Sequence, residues 1–170
     1  MQNRTLFTVG FGAQPIPPTR DGPVSRGEPF SPSLLRCRVL VVEDSEDWQE
    51  LLAVMIRKVP ALELAGYAPS AREAMALFPR VQPDLLILDW HLRDGDGLAV
   101  LRLAKRARPA CTAVVFTLSN SPRERARCVA GGANHLVSKE TPQKLALLLE
   151  LAGENFRAAL CPPAPTQPKL

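Results

Sequence analysis

Two apolar runs in this chain end in acid. Val39-Leu-Val-Val42 leads into Glu43 and Asp44, and Leu85-Leu-Ile-Leu88 leads into Asp89. A short unbroken apolar run is the pattern of a strand buried on both faces of a parallel sheet. With the two strands side by side, Glu43, Asp44 and Asp89 converge on one edge, the rim where open α/β sheets bind ligands. Crowded carboxylates repel one another and raise each other's pKa unless a cation joins them. An oxygen-only acidic set suits Mg²⁺, which keeps several waters and takes one or two carboxylates together with a phosphate. Taken singly, each acid could instead end its strand or cap the following helix. Two more polar residues close apolar runs: Thr117 after Ala113-Val-Val-Phe116 and Lys139 after His135-Leu-Val-Ser138. The five side chains together form a kit for a phosphoryl group. The ammonium and a cation offset its charge, the hydroxyl supplies a hydrogen bond, and an Asp89 oxygen attacks phosphorus. Phosphoryl transfer rests mainly on such positioning and charge stabilisation. A carboxylate nucleophile would leave an aspartyl phosphate.

The elements that must position these groups alternate from Arg38 onward. Strands are expected at 39–42, 62–67, 85–88, 113–116 and 135–138. A helix opening near Ser45 to Asp47 carries Trp48, Leu51, Leu52, Met55 and Val59 along one face and stops at Pro60. Ser70-Ala-Arg-Glu73 has the form of a capping box and opens a helix through Phe78. Asp96 or the glycines beside it start a third helix, with Leu98, Leu101 and Ala104 inward. Ser121-Pro122 begins a fourth, ended by Gly131-Gly132, and Thr141-Pro142 begins a last one reaching Ala159. Five βα units with short loops predict a doubly covered, five-stranded parallel sheet.

Composition bounds the rest. At 170 residues there is room for one domain with tails. Six of the seventeen prolines precede Cys37 and four fall in the last nine residues, so residues 1–37 and 161–170 read as disordered flanks of a folded unit at 38–160. The sequence pI of about 9.1 overstates any affinity for polyanions, because residues 38–160 hold sixteen Lys and Arg against fifteen Asp and Glu. Arg102, Lys105, Arg106, Arg108, Arg123, Arg125 and Arg127 cluster locally and read as solvated helix faces. The four cysteines, Cys37, Cys111, Cys128 and Cys161, lack metal-ligand spacing and read as free thiols of a reducing compartment. With no run approaching the ~20 apolar residues of a membrane span, a cytoplasmic location is expected.

In order and spacing, Val-Val-Glu43-Asp44, Leu-Ile-Leu-Asp89, Val-Phe-Thr117 and Leu-Val-Ser-Lys139 resemble a response-regulator receiver domain of two-component signalling, over nearly all of the expected folded unit. The resemblance implies a flavodoxin-like sheet of strand order 2-1-3-4-5. It implies that Asp89 is the phospho-acceptor. Asp44, Asp89 and the backbone carbonyl of His91 would be Mg²⁺ ligands, and Glu43 would reach the ion through water. Thr117 and Lys139 would contact the phosphoryl group. The implied phosphodonor is a histidine kinase or a histidine phosphotransfer protein, and the output is an unidentified partner protein rather than nucleic acid. No enzymatic activity is implied beyond phosphoryl transfer and dephosphorylation of the domain itself. The roughly ten residues after the last helix are too few for an output module, so a stand-alone receiver is expected.

Three positions depart from the family pattern. Leu136 stands where a Tyr or Phe switch is usual, Glu140 follows the lysine where Pro is common, and Leu118 follows Thr117 where a small residue is usual. Leu118 would either crowd and shield the site or simply pack. These departures leave a second reading, an unphosphorylated pseudo-receiver acting as an interaction module. An aspartate-nucleophile phosphatase would place a second Asp where His91 stands. A nucleotide or flavin binder would need a G-x-G-x-x-G fingerprint, which Asp94-Gly-Asp-Gly97 does not supply.

Overall fold

The computed structural model describes residues 35–118 and 121–160. Of the two flanks read as disordered, only residues 35–37 fall within it, and the rest lie outside the described residues. The chain runs β1 (Cys37–Val42), α1 (Glu46–Arg57), β2 (Leu62–Ala68), α2 (Ala71–Val81), β3 (Leu85–Leu88), β4 (His91–Leu92), β5 (Gly95–Asp96), α3 (Leu98–Ala107), β6 (Thr112–Thr117), α4 (Pro122–Ala130), β7 (His135–Ser138) and α5 (Pro142–Leu160). Five strands pair in parallel in the order β2-β1-β3-β6-β7. With the short antiparallel β4–β5 pair set aside, this is the 2-1-3-4-5 order of a flavodoxin-like sheet.

Alternation along the central strands divides the core in two. Val39 and Val41 face α1 and α5, with Leu52, Ile56, Leu145 and Leu149. Leu40 and Val42 face α2, α3 and α4, with Phe78, Leu101 and Cys128. All four β3 residues are buried, as the unbroken apolar run requires. Each such side chain contributes about 1.5–3 kcal/mol on leaving water.

Some details differ from expectation. On α1, Leu51 is exposed, while Ile56 joins Leu52 as the buried ridge four residues apart, with Trp48, Met55 and Val59 flanking. The α2 helix continues past Phe78 through Pro79 because Val81 is also buried. It closes on Gln82, whose φ of 46° turns its N–H back to the Phe78 carbonyl at 2.9 Å. Ser70 caps the start of α2, its Oγ accepting from the Glu73 N–H at 3.1 Å. Cys37 already belongs to β1. The β4–β5 hairpin was not anticipated: the Gly-rich stretch after Asp89 forms this extra pair before α3, whose start falls at Gly97, its N-cap, among the expected alternatives.

Candidate functional site

The carboxyl ends of β1, β3, β6 and β7 bring Glu43, Asp89, Thr117 and Lys139 together at one edge, all four buried. Register does the positioning. Val42 pairs with Leu88, so Glu43 and Asp89 leave the sheet as neighbours. The Asp89 N–H donates to the Val42 carbonyl at 2.9 Å. On the other side, Thr117 pairs with Ser138, and its carbonyl accepts from the Lys139 N–H at 2.9 Å.

Glu43, Asp44 and Asp89 each offer a carboxylate oxygen, and these oxygens lie within 4.8 Å of one another. The Lys139 ammonium reaches over from β7. Its Nζ donates to Asp89 Oδ2 at 2.7 Å and stands 2.7 Å from Glu43 Oε2. The second contact is an ion pair, and Oε2, buried, has no partner besides this ammonium among the described residues. Burial pushes the Glu43 carboxyl above its ordinary pKa, against the pull of Lys139. The Ser45 N–H donates to Glu43 Oε1 at 3.2 Å, and the His91 N–H donates to Asp89 Oδ1 at 3.2 Å. One buried ammonium is thus shared by Glu43 and Asp89, with Asp44 beside them, and this set of three carboxylates fits a small hard dication.

Several residues of this site were not singled out from the sequence. Trp48 was read only as core, yet Lys139 Nζ lies 5.3 Å from its ring centroid and 5.9 Å from that of Phe116. The two rings meet edge to face, 5.3 Å apart at 86°. They wall the ammonium from one side and strengthen its attraction to the carboxylates by excluding water. Gly97 was read only as a helix start. A Cβ there would sit 2.7 Å from the Asp89 carbonyl oxygen, so only glycine lets the chain pass so close beneath Asp89. Arg93 lies over Asp44: its Nη2 donates to the Asp44 carbonyl at 2.6 Å, and its Nε is 3.4 Å from Oδ2.

The departures also take their places. Leu118 is exposed, so it packs into no core. Leu136 is half-buried against the α2–α4 side of the core. The turn after Lys139 is closed by Ser138, whose Oγ accepts from the Glu140 N–H at 3.1 Å and whose carbonyl accepts from the Thr141 N–H at 3.0 Å. The His91 side chain points to α4, with Nε2 2.9 Å from Glu124 Oε1, so only its backbone remains beside Asp89. Of the basic residues read as solvated, Arg127 pairs with Asp96 and lies 5.3 Å from the Trp90 ring centroid, and Arg108 pairs with Asp84 at 2.5 Å. Cys37, Cys111 and Cys128 are free and buried.

Residues 39–150 match the family model of the response regulator receiver domain, about two-thirds of the chain. The chain belongs to the response regulator receiver family. Its curated relatives include a protein-glutamate methylesterase/protein-glutamine glutaminase of Cereibacter sphaeroides, 35% identical over 105 residues, which are 61% of this chain and 29% of that protein. Another, from Dechloromonas aromatica, is 34% identical over 156 residues, covering 79% of this chain and 44% of the relative. The chain therefore spans less than half the length of these relatives, and the likeness lies in their receiver portion. Among solved structures, the response regulator domain of Thermotoga maritima CheB superposes with a TM-score of 0.62 at 22% identity, covering 74% of this chain and 96% of that one. The signal receiver domain of an HD domain-containing protein from Pseudomonas fluorescens gives 0.63 at 25% identity, covering 72% and 98%. Receivers act in two-component systems, which implies a phosphodonor such as a histidine kinase. No helix among the described residues is long and apolar enough to cross a membrane.

Proposed function

We propose that this receiver is a phospho-acceptor that takes a phosphoryl group on Asp89 from a phosphohistidine donor, with Mg²⁺ as cofactor. The observation that carries the reading is the buried Lys139 ammonium held 2.7 Å from both Asp89 and Glu43. An ion pair so thoroughly desolvated is weak evidence for stability alone, since well-packed apolar residues often serve as well. Its placement beside a third carboxylate, Asp44, is better explained by chemistry.

In the proposed transfer an Asp89 carboxylate oxygen attacks phosphorus. The bond from phosphorus to the donor's imidazole nitrogen breaks, its electron pair stays on that ring, and an aspartyl phosphate results. Lys139 neutralises charge on a phosphoryl oxygen, and Thr117 donates its hydroxyl to another. Asp44, Asp89 and the His91 carbonyl would hold Mg²⁺, with Glu43 linked through water. When bound, the ion would supply charge neutralisation at the phosphoryl oxygens. The buried setting of Asp89 and Lys139 limits access of water, and hydrolysis returns the free carboxylate.

The signal would pass to a partner protein, and in these residues the domain acts as a cytoplasmic signalling module rather than an enzyme on other substrates. Leu136 lacks the hydroxyl and ring of the usual switch residue, so the response is assigned to Leu118 and α4. Incubating the protein with a small acyl phosphate tests the reading. A hydroxylamine-labile adduct should form with Mg²⁺ and not with chelator. Well-folded protein that forms none would be an interaction module instead.

A further inference from the structure

The β4–β5 hairpin carries a second cation into the acidic site, from the solvent side. Its tip is Arg93-Asp94, and Gly95, at a φ of 145°, makes a turn that other residues avoid. Asp94 is bolted to α2, its two carboxylate oxygens accepting from the Ala71 and Arg72 N–H groups at 2.8 and 2.9 Å. The neighbouring Arg93 is therefore carried on a fixed support. Its guanidinium straddles Asp44, donating to the backbone carbonyl at 2.6 Å while Nε stands 3.4 Å from Oδ2. The side chain is 75% exposed and has no other polar partner among the described residues.

Building on the Mg²⁺ reading above, we propose that Arg93 competes with the divalent cation for Asp44. Arg93 would neutralise Asp44 while no ion is bound and would be displaced when one enters, which sets the concentration of Mg²⁺ the receiver needs. Electrostatics gives the sign. A like charge beside a ligand carboxylate opposes a second cation, and Asp44 is the carboxylate of the three that Lys139 does not touch. An exposed contact of this kind is modest and is screened by salt. Arg93 is a positioning and affinity-setting residue here, with no contact to the reacting atoms.

Arg93→Gln removes the charge, and its exposed position leaves the fold intact, which a melting curve checks. Mg²⁺ alone is titrated into the otherwise native protein and into the variant, read by tryptophan fluorescence, with Asp44→Asn as the non-binding control. The variant should bind about two- to fivefold more tightly at low ionic strength. The gap should shrink in high salt, and Arg93→Lys should fall between. Equal or weaker binding by Arg93→Gln overturns the competition while leaving the Mg²⁺ reading standing. If the native protein itself fails to respond to Mg²⁺, the cation reading falls, and the role of Arg93 with it.

Discussion

Lys139 donates to Asp89 across 2.7 Å, and the lysine side chain keeps only 3% of its exposure. Removing each partner should have unequal consequences. Lys139→Met would strand Glu43 and Asp89 as neighbouring buried carboxylates and should cost about 3 kcal/mol or more. Asp89→Asn removes one of the like charges and leaves the ammonium paired with Glu43, so it should cost under about 1 kcal/mol or stabilise. Chemical denaturation of both variants without divalent cation compares them directly. Equal losses would mean that charge pairing is not what holds this edge.

Gly97 should tolerate nothing larger. Its α-carbon passes so close to Asp89 that a Cβ would meet the Asp89 carbonyl oxygen at 2.7 Å. Gly97→Ala should cost about 1–3 kcal/mol through overpacking and should displace Asp89 as well. Thermal melts and phosphorylation rates measured on the same variant should both fall. A normal melt with normal phosphorylation would show that the backbone there yields freely.

Two buried thiols should make the domain alkali-sensitive. Burial pushes Cys37 up to about 12 and Cys111 up to about 11, from an ordinary 9.0. Their folded values are raised, so the unfolded chain loses these protons first. The stability they confer is full below pH 9 and is lost as pH climbs toward 11 and beyond. Each thiol can steepen the loss by up to about 1.4 kcal/mol per pH unit. Denaturation midpoints from pH 8 upward should fall less steeply in Cys37→Ala and Cys111→Ala. An unchanged slope would assign the alkaline loss to other groups.

That Glu43, Asp44, Asp89, Thr117 and Lys139 would gather at one edge was legible because each ends an apolar run, and a parallel sheet turns that shared property into a shared edge. The βα units gave a five-stranded parallel sheet, and its strand order came from the family resemblance those residues carry. What was not legible depended on the path after β3. The β4–β5 hairpin is set by the φ of Gly95 and by Asp94 capping a helix twenty-odd residues upstream, and neither is visible as periodicity. Arg93 over Asp44 is a consequence of that path. Trp48 was placed correctly on the inner side of α1, but its contact with Lys139 joins elements about ninety residues apart. The exchange of Leu51 for Ile56 on α1 is a rotation of the buried stripe, decided by packing against α5 and the sheet.

Output should run through the segment after β6 rather than through Leu136. Leu136 is half-buried and packed, and it has no hydroxyl to form a new bond, whereas Leu118 is exposed and α4 buries only Cys128. Amide exchange with and without a phosphoryl mimic should change more at Leu118 and α4 than at β7. A larger change at β7 would return the switch to Leu136.

Asp89 is the residue expected to accept the phosphoryl group. Intact mass after incubation with an acyl phosphate and Mg²⁺ tests it most directly, on the native protein and on folded Asp89→Asn. The native protein should gain the mass of one phosphoryl group and the variant should gain none. An equal gain by both would place the phosphoryl group on another residue and overturn the assignment to Asp89.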